Sequence, residues 1–390
     1  MIPRHITPQL QKLSRQFPVV TVTGPRQSGK TTLVRSLFTE HQYINLEDRQ
    51  NRELAEHDYK AFFSLHSGPL ILDEIQRVPQ LLSAIQVLVD EKREPGKYIL
   101  TGSHQPLLQA EISQSLAGRT ALLRLLPLSI AELADADVVL ERDEYLTRGF
   151  LPGQYAHGLE PAALFSAYYA TYVERDARQL VNIGKQQAFE LFVKLLAGRV
   201  GQLVNLQSMA GDIGVSAPTL ASWLSVLEAC FIVFRLPPYF RNFGKRLVKT
   251  PKIYFTETGL AAWLLGIATP EQASRDPLFG NLYENVVVAE ALKARSNAGF
   301  APELYFYRDK SGLEIDLLLN QARRLRAMEI KGGMTYSDSL ADNVRKFKKI
   351  AGEMLASSAV IYAGDVRGCV NGTHFINFRD TEKLILSEDP

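Results

Sequence analysis

Three features of the sequence predict an α/β fold with buried strands at its centre. Apolar runs at residues 19–22, 70–72 and 98–100 have strand length, and each leads into a polar or glycine-bearing turn. The first run passes through GPRQSGKTT into a helical segment, the strand–turn–helix order in which a glycine-rich loop can wrap an anion. At 390 residues, 46% hydrophobic and 22% charged, the chain is long enough for two or three domains with cores of their own.

Composition excludes several classes. The opening MIPRHITPQLQKLSRQFPVV lacks the apolar core of a signal peptide, and no window approaches about 18 uninterrupted apolar residues. A soluble, cytoplasmic protein with no membrane partner is expected. Cys230 and Cys369 lie far apart without metal-ligand spacing, and the 7 histidines are scattered, so a zinc site is not expected. The net charge of +2 is unevenly spread: residues 151–270 carry 11 Lys and Arg against 7 Asp and Glu.

The turn after the first run matches G-x-x-x-x-G-K-[ST] at Gly24, Gly29, Lys30 and Thr31, a P-loop. Gly24, Pro25, Arg26, Gln27, Ser28 and Gly29 would wrap the phosphates of ATP with backbone N–H groups, with Lys30, Thr31 and Thr32 opening the helix. Lys30 would reach the β- and γ-phosphates, and the Thr31 hydroxyl would ligate Mg²⁺. The second run ends in Asp73-Glu74. Asp73 can hold the metal's water shell, while Glu74 can deprotonate an attacking water, which a hydrolase needs and a small-molecule kinase does not.

The third run ends at Ser103, either a sensor of the γ-phosphate or a turn residue beside Gly102. In SLAGRTALLRLLPL a helix end at Gly118 is followed by Arg119 and another strand. Arg119 is either an arginine finger for a neighbouring subunit, which would imply a homo-oligomer, or a surface residue.

The succession GPRQSGKTTL, YINLED, LILDEIQ, YILTGS and LAGRTALLRLLPLS resembles the AAA-type ATPase domain of a large prokaryotic family whose members carry a C-terminal domain of unknown function. YVERDARQL and YFTETGLAAWLLG also fit it, so the likeness spans nearly the whole chain. It implies an AAA+-like, doubly wound parallel sheet that binds ATP. The motif spacing alone supports a P-loop NTPase. Three segments are expected: an ATPase domain at 1–150, a helical lid with a further module at 151–270, and a last domain at 271–390.

A long helix is expected from about Ala162 to Ile183. Within it Arg175 is either a second nucleotide-contacting arginine or half of a surface ion pair. LQSMAGDIGVSAPTLASWLSVLEAC reads as two helices around Gly214, with Ser216 as N-cap and Leu220, Leu224 and Leu227 on one face. A strand pair bent at Pro237-Pro238 would complete a winged helix. Its second helix has no Lys or Arg, which argues against base readout. Six basic residues (Arg235, Arg241, Lys245, Arg246, Lys249, Lys252) follow without an intervening acid. Arg241, Lys245, Arg246 and Lys249, among aromatic residues, would bind nucleic-acid backbones, DNA favoured, or form a solvated basic face.

In the last third a helix containing Glu284 precedes two strands around a Lys-Ser-Gly turn, a further strand RLRAMEIKGG, and a basic helix. This order resembles the core of the PD-(D/E)XK nuclease fold, a restriction-endonuclease-like α/β domain. The resemblance implies a metal site of Glu284, Asp316 and Glu329, with Lys331 on the same face as Glu329 two residues earlier. Ile315 stands where the family's proline would be. A solvated ion-pair face and a degenerate nuclease fold are the alternatives.

The leading expectation is therefore an ATP-hydrolysing AAA-type ATPase acting on or with nucleic acid. The alternatives are an ATP-dependent switch with an inert nuclease-like domain, and a branched-DNA motor that does not cleave.

Overall fold

A computed structural model describes residues 2–103, 112, 115–177, 186–239 and 249–387, with only the backbone described at 174–177. After α1 (Thr7–Ser14) come β1 (Val19–Gly24), α2 (Lys30–Leu37), β2 (Gln42–Asn45), α3 (Arg49–His57) and α4 (Tyr59–Leu65). They are followed by β3 (Leu70–Asp73), α5 (Leu81–Glu91), β4 (Tyr98–Ser103) and β5 (Thr120–Arg124). The strands form one all-parallel sheet in the order β2-β3-β4-β1-β5. Strands β1, β3 and β4 are buried along their whole length, as expected for runs covered on both faces. β5 at the edge alternates buried and exposed residues instead. Two apolar clusters, one around Leu72 and Leu82 and one around Val20 and Leu33, cover the sheet.

The register decides where chemistry can sit. Gly24 pairs with Ser103 across β1 and β4, and Asn45 pairs with Asp73 across β2 and β3. All the motif residues except Arg119 therefore lie at the carboxyl edge of the strands, where open α/β sheets place their ligands.

The next segment contains α6 (Ile130–Ala134), α7 (Arg142–Arg148), α8 (Pro152–His157) and α9 (Pro161–Tyr168). The single helix expected from 162 to 183 is interrupted: α9 gives way to π-helical backbone at Tyr169–Ala177. There the Thr171 hydroxyl donates to the Ala167 carbonyl at 2.7 Å, a local competitor to the α-helical ladder. Helices α10 (Gln186–Ala197), α11 (Leu206–Ile213) and α12 (Ala217–Ala229) then pack beside an antiparallel pair, β6 (Val233–Leu236) and β7 (Lys252–Phe255). As expected, Gly214 ends α11 in the left-handed region, and the Ser216 hydroxyl accepts from Thr219 N at 3.2 Å.

The last segment comprises α13 (Thr258–Leu264), α14 (Pro270–Arg275), α15 (Phe279–Asn297), β8 (Leu304–Arg308), β9 (Glu314–Gln321) and β10 (Arg324–Lys331). It continues through α16 (Asp342–Ala351), β11 (Leu355–Tyr362), β12 (Gly368–Val370), β13 (Thr373–Asn377) and α17 (Thr381–Leu386). The sheet order is β12-β13-β11-β10-β9-β8, with β10 parallel to β11 and antiparallel to β9. One continuous apolar core runs from Leu126 to Ile385. Residues on both sides of 270 contribute to it. After β6 the chain joins the edge of this sheet, with Pro238 bridged to Phe306 and Tyr239 N donating to Phe306 O at 2.8 Å.

The β9–β10 hairpin closes through Ala322 and Arg323, both with positive φ (50° and 68°). That geometry suits Asn-Gly, while L-residues there cost about 1 kcal/mol each. Ala322→Asn combined with Arg323→Gly is expected to stabilise the chain by about 1 kcal/mol, read as a higher midpoint in urea.

Candidate functional site

The P-loop has the shape its glycines require. Gly24 has φ 152°, and a Cβ there would stand 2.0 Å from the Leu125 carbonyl oxygen; Gly29, with φ 90°, caps the start of α2. No other residue fits the close approach at Gly24. The Lys30 ammonium is buried inside the loop and donates to the carbonyls of Gly24 (3.0 Å) and Pro25 (2.8 Å). Burial pushes it down to about 8, with Glu74 and Asp73 pulling the other way.

Asp73 is 4% exposed and gathers three hydroxyls. Thr31 Oγ1 donates to its Oδ2 at 2.9 Å, Tyr43 OH donates to the same oxygen at 2.7 Å, and Thr101 donates to Oδ1. Burial and then the bond to Asp73 hold the Tyr43 phenol protonated far above its ordinary range. Next to Asp73, Glu74 adopts the left-handed region at φ 57°, uncommon for a side chain other than Asn, Asp or Gly. Its Oε2 accepts from Gln76 Nε2, which also donates to Ser103 Oγ at 3.0 Å; the Ser103 hydroxyl stands 3.4 Å from the same carboxylate oxygen. The Ser103 hydroxyl is thus at the head of Glu74.

These groups open onto a cleft of about 1620 Å³ between the P-loop and the helices that follow the sheet. Its polar wall is formed by Lys30, Thr31, Thr32, Gln27 and Glu74, and its apolar wall by Ile2, Pro152, Leu159 and Leu164. An apolar slot beside a phosphate loop suits a nucleotide, base on one side and phosphates on the other. The Arg26 guanidinium reaches across to the Tyr172 ring at 5.9 Å. Ser28 is fully buried beneath the loop. Thr31 and Asp73 supply adjacent hard oxygen donors, a set that fits Mg²⁺.

Sequence reading missed Arg4. Its guanidinium donates to the P-loop carbonyl of Ser28 at 2.6 Å, to Leu126 O at 2.7 Å, and to the buried Glu132 at 3.1 Å. The neighbouring His5 bridges Glu382 of α17 (2.6 Å) and Asp135 after α6 (2.8 Å). The hydrogen bond to Glu382, opposed by burial and helped by Asp135, raises His5 to about 9. A raised histidine stabilises the fold fully below about 6.5, and that contribution is lost as pH rises through about 9. Wild type is therefore expected to lose about 1 kcal/mol more than His5→Gln between pH 7 and pH 10, measured by urea unfolding.

Arg119 lies before β5, at the opposite edge of the sheet from the P-loop, roughly 17 Å away along the strands. Both its Nε and Nη2 donate to Asp90 at 2.6 Å. It does not reach the phosphate loop of its own chain. The side chain of Arg175 and the whole of Arg241, Lys245 and Arg246 lie outside the described residues; Lys249 is exposed.

The four C-terminal residues do converge, but as ion pairs. Lys331 Nζ lies 2.6 Å from Glu329 Oε1 and 3.8 Å from Asp316 Oδ2. Asp316 also accepts from Ile330 N at 2.8 Å, and Glu329 from Asn343 at 3.1 Å. Glu284 accepts from Tyr254 OH at 2.5 Å and from Lys252 Nζ at 2.8 Å. Lys252 also pairs with Glu314 at 2.6 Å. Far from a solvated face, Glu329 is 2% exposed. Burial first, and the charge of Asp316 second, raise both Glu284 and Glu329 above the carboxylate range. Among the described residues no three His, Cys, Asp or Glu side chains are placed to share a metal ion, so this donor set does not fit the implied site.

Lys252 was also misplaced by sequence reading, which put it in a solvated or nucleic-acid-binding basic stretch. It is 3% exposed, and Arg235 from the same stretch pairs with Glu228 at 2.7 Å. Acids distant in sequence neutralise what looked locally unopposed.

A 51432-type parallel sheet, with a P-loop after its first strand and an Asp-Glu pair after its third, defines an AAA-type P-loop ATPase domain. Residues 16–134 match the family described as AAA domain, and 140–271 and 279–379 match two families described as domains of unknown function, DUF8612 and DUF4143. An uncharacterized protein of Mycobacterium tuberculosis is 31% identical over 369 residues, covering 93% of this chain and 80% of its own. The chain belongs to the family of that protein. An uncharacterized protein of Haemophilus influenzae is 23% identical over 372 residues, covering 85% of this chain and 88% of its own. A Walker-type ATPase of Pyrococcus abyssi aligns with a TM-score of 0.45 at 15% identity, over 68% of this chain and 96% of its own. No helix among the described residues is long and apolar enough to cross a membrane.

Proposed function

We propose that the chain binds ATP with Mg²⁺ in the cleft above the parallel sheet and hydrolyses it, using the cycle as a switch on its own middle and C-terminal segments. The observation that carries this is the Glu74 carboxylate, held by Gln76 and Ser103 beside the Asp73–Thr31 pair at the mouth of the cleft. Asp73 and Thr31 would hold Mg²⁺, whose charge would be neutralised against the phosphates. Lys30 binds phosphate oxygens, Glu74 orients and deprotonates water, and Ser103 positions Glu74. The switch reading draws on the contacts of Arg4, His5 and Glu132, which join the P-loop to α6 and α17. An arginine-finger role for Arg119 requires a second copy of the chain and release of Asp90. The test is phosphate release by the purified full chain with Mg²⁺-ATP, beside retention of labelled ATP; a protein that does neither removes the reading.

We read the helices and strand pair of 186–255 as a winged-helix module and 279–377 as a restriction-endonuclease-like domain that does not cut. The order of α15, β8, β9, β10 and α16 supports the second reading. Backbone-directed nucleic-acid binding is favoured by Lys346, Lys348 and Lys349, exposed along α16. It is tested by the salt dependence of duplex DNA binding, and by whether DNA alters the ATPase rate. A cytoplasmic location follows from the same reading.

A further inference from the structure

We propose that the acidic cluster of the C-terminal domain is a receptor for the chain's own Lys252: the ammonium of the middle module takes the place a divalent ion would need, and clasps β7 to α15 and β9. The inference is independent of the ATPase reading.

Two contacts point to it. Lys252 Nζ lies 2.8 Å from Glu284 Oε1 and 2.6 Å from Glu314 Oε1, while only 3% of the side chain is exposed. It enters from β7, where Leu203 bridges to it on one side and Leu236 pairs with it on the other, so the backbone fixes the approach. The Phe306 ring of β8, 5.6 Å away, covers it, and the Tyr254 hydroxyl completes Glu284. A compact point charge with three donors matches two carboxylates and a ring face, where a guanidinium would not fit.

The cluster as a whole is already partly neutralised, with three cations against four carboxylates. Four carboxylates (Glu284, Glu314, Asp316, Glu329) face Lys252, Lys331 and Arg308, the last 3.3 Å from Glu314 Oε2. Lys331 serves Glu329 and Asp316, and Lys252 serves Glu284 and Glu314, so the carboxylates that a metal would draw together each already face an ammonium. A divalent ion must displace Lys252, which leaves a buried ammonium without partners or pulls β7 off the sheet. Glu329 Oε2 is buried with no hydrogen-bond partner among the described residues.

The test is Mn²⁺ binding to the full chain without nucleotide, followed by electron paramagnetic resonance. Wild type is expected to show no Glu284-dependent site. Lys252→Met, which keeps the volume and removes the charge, is expected to gain one at least tenfold tighter, lost again in Lys252→Met with Glu284→Gln. A Glu284-dependent Mn²⁺ site in wild type as tight as in Lys252→Met would overturn the proposal. Should Lys252→Met not fold, acetylation with an amine-reactive ester, mapped by mass spectrometry, decides. Lys252 should react at least tenfold faster in Glu284→Gln with Glu314→Gln than in wild type, and an unchanged rate would overturn the clasp.

Discussion

Glu74→Gln is expected to bind Mg²⁺-ATP with close to wild-type affinity and to lose turnover by about 10²–10⁴-fold. Glutamine is nearly isosteric and keeps an acceptor for the Gln76 and Ser103 donors, so the left-handed backbone at residue 74 has no reason to relax. What it loses is the capacity to take a proton from water. The phosphate-binding groups, Lys30 and the loop N–H donors, are on another element, α2 and the turn before it, and are untouched. Single-turnover hydrolysis measured beside ATP retention on a filter separates the two effects. Unchanged hydrolysis would remove Glu74 from the base role, and lost binding would place it in the phosphate site instead.

The ATPase half was largely legible because its chemistry is local in sequence. Residues 24–32 form one turn, and Asp73-Glu74 are adjacent, so strand periodicity and spacing bring them to one edge without knowledge of the rest of the fold. What reading the chain missed comes from partners distant in sequence. Tyr43 and Thr101 reach Asp73 from two neighbouring strands, and Arg4 reaches Ser28 from a segment with no periodic signal.

The C-terminal half shows the same limit in a sharper form. Reading RLRAMEIKGG as a strand correctly put Glu329 and Lys331 on one face. It could not say that Glu329 is buried, because the neighbours that cover it, Asn343 of α16 among them, lie outside strands β9 and β10. Lys252 in the short run KIYF carried one signal that could have been read: a lone cation in an otherwise apolar strand implies a buried acid opposite. The charges of the hairpin find partners outside it, Lys252 and Asn343 among them.

Lys30→Ala is expected to weaken Mg²⁺-ATP binding by about 100-fold or more, since two charge-assisted contacts to phosphate are each worth about 1.5–3 kcal/mol. The geometry adds a second cost. Lys30 now donates to the Gly24 and Pro25 carbonyls, so its ammonium tethers the loop from within, and alanine releases that tether. Loss of affinity thus has two sources, a missing phosphate contact and a looser cradle. The discriminating measurement is the thermal midpoint with and without Mg²⁺-ATP. Wild type should gain about 2.7 kcal/mol of stability at a ligand concentration 100 times its Kd, and the variant almost none. In the absence of nucleotide the two midpoints should lie close together, since removing a buried ammonium whose charge is already disfavoured offsets the loss of its two bonds. A variant that unfolds without nucleotide would instead make Lys30 a structural post of the loop.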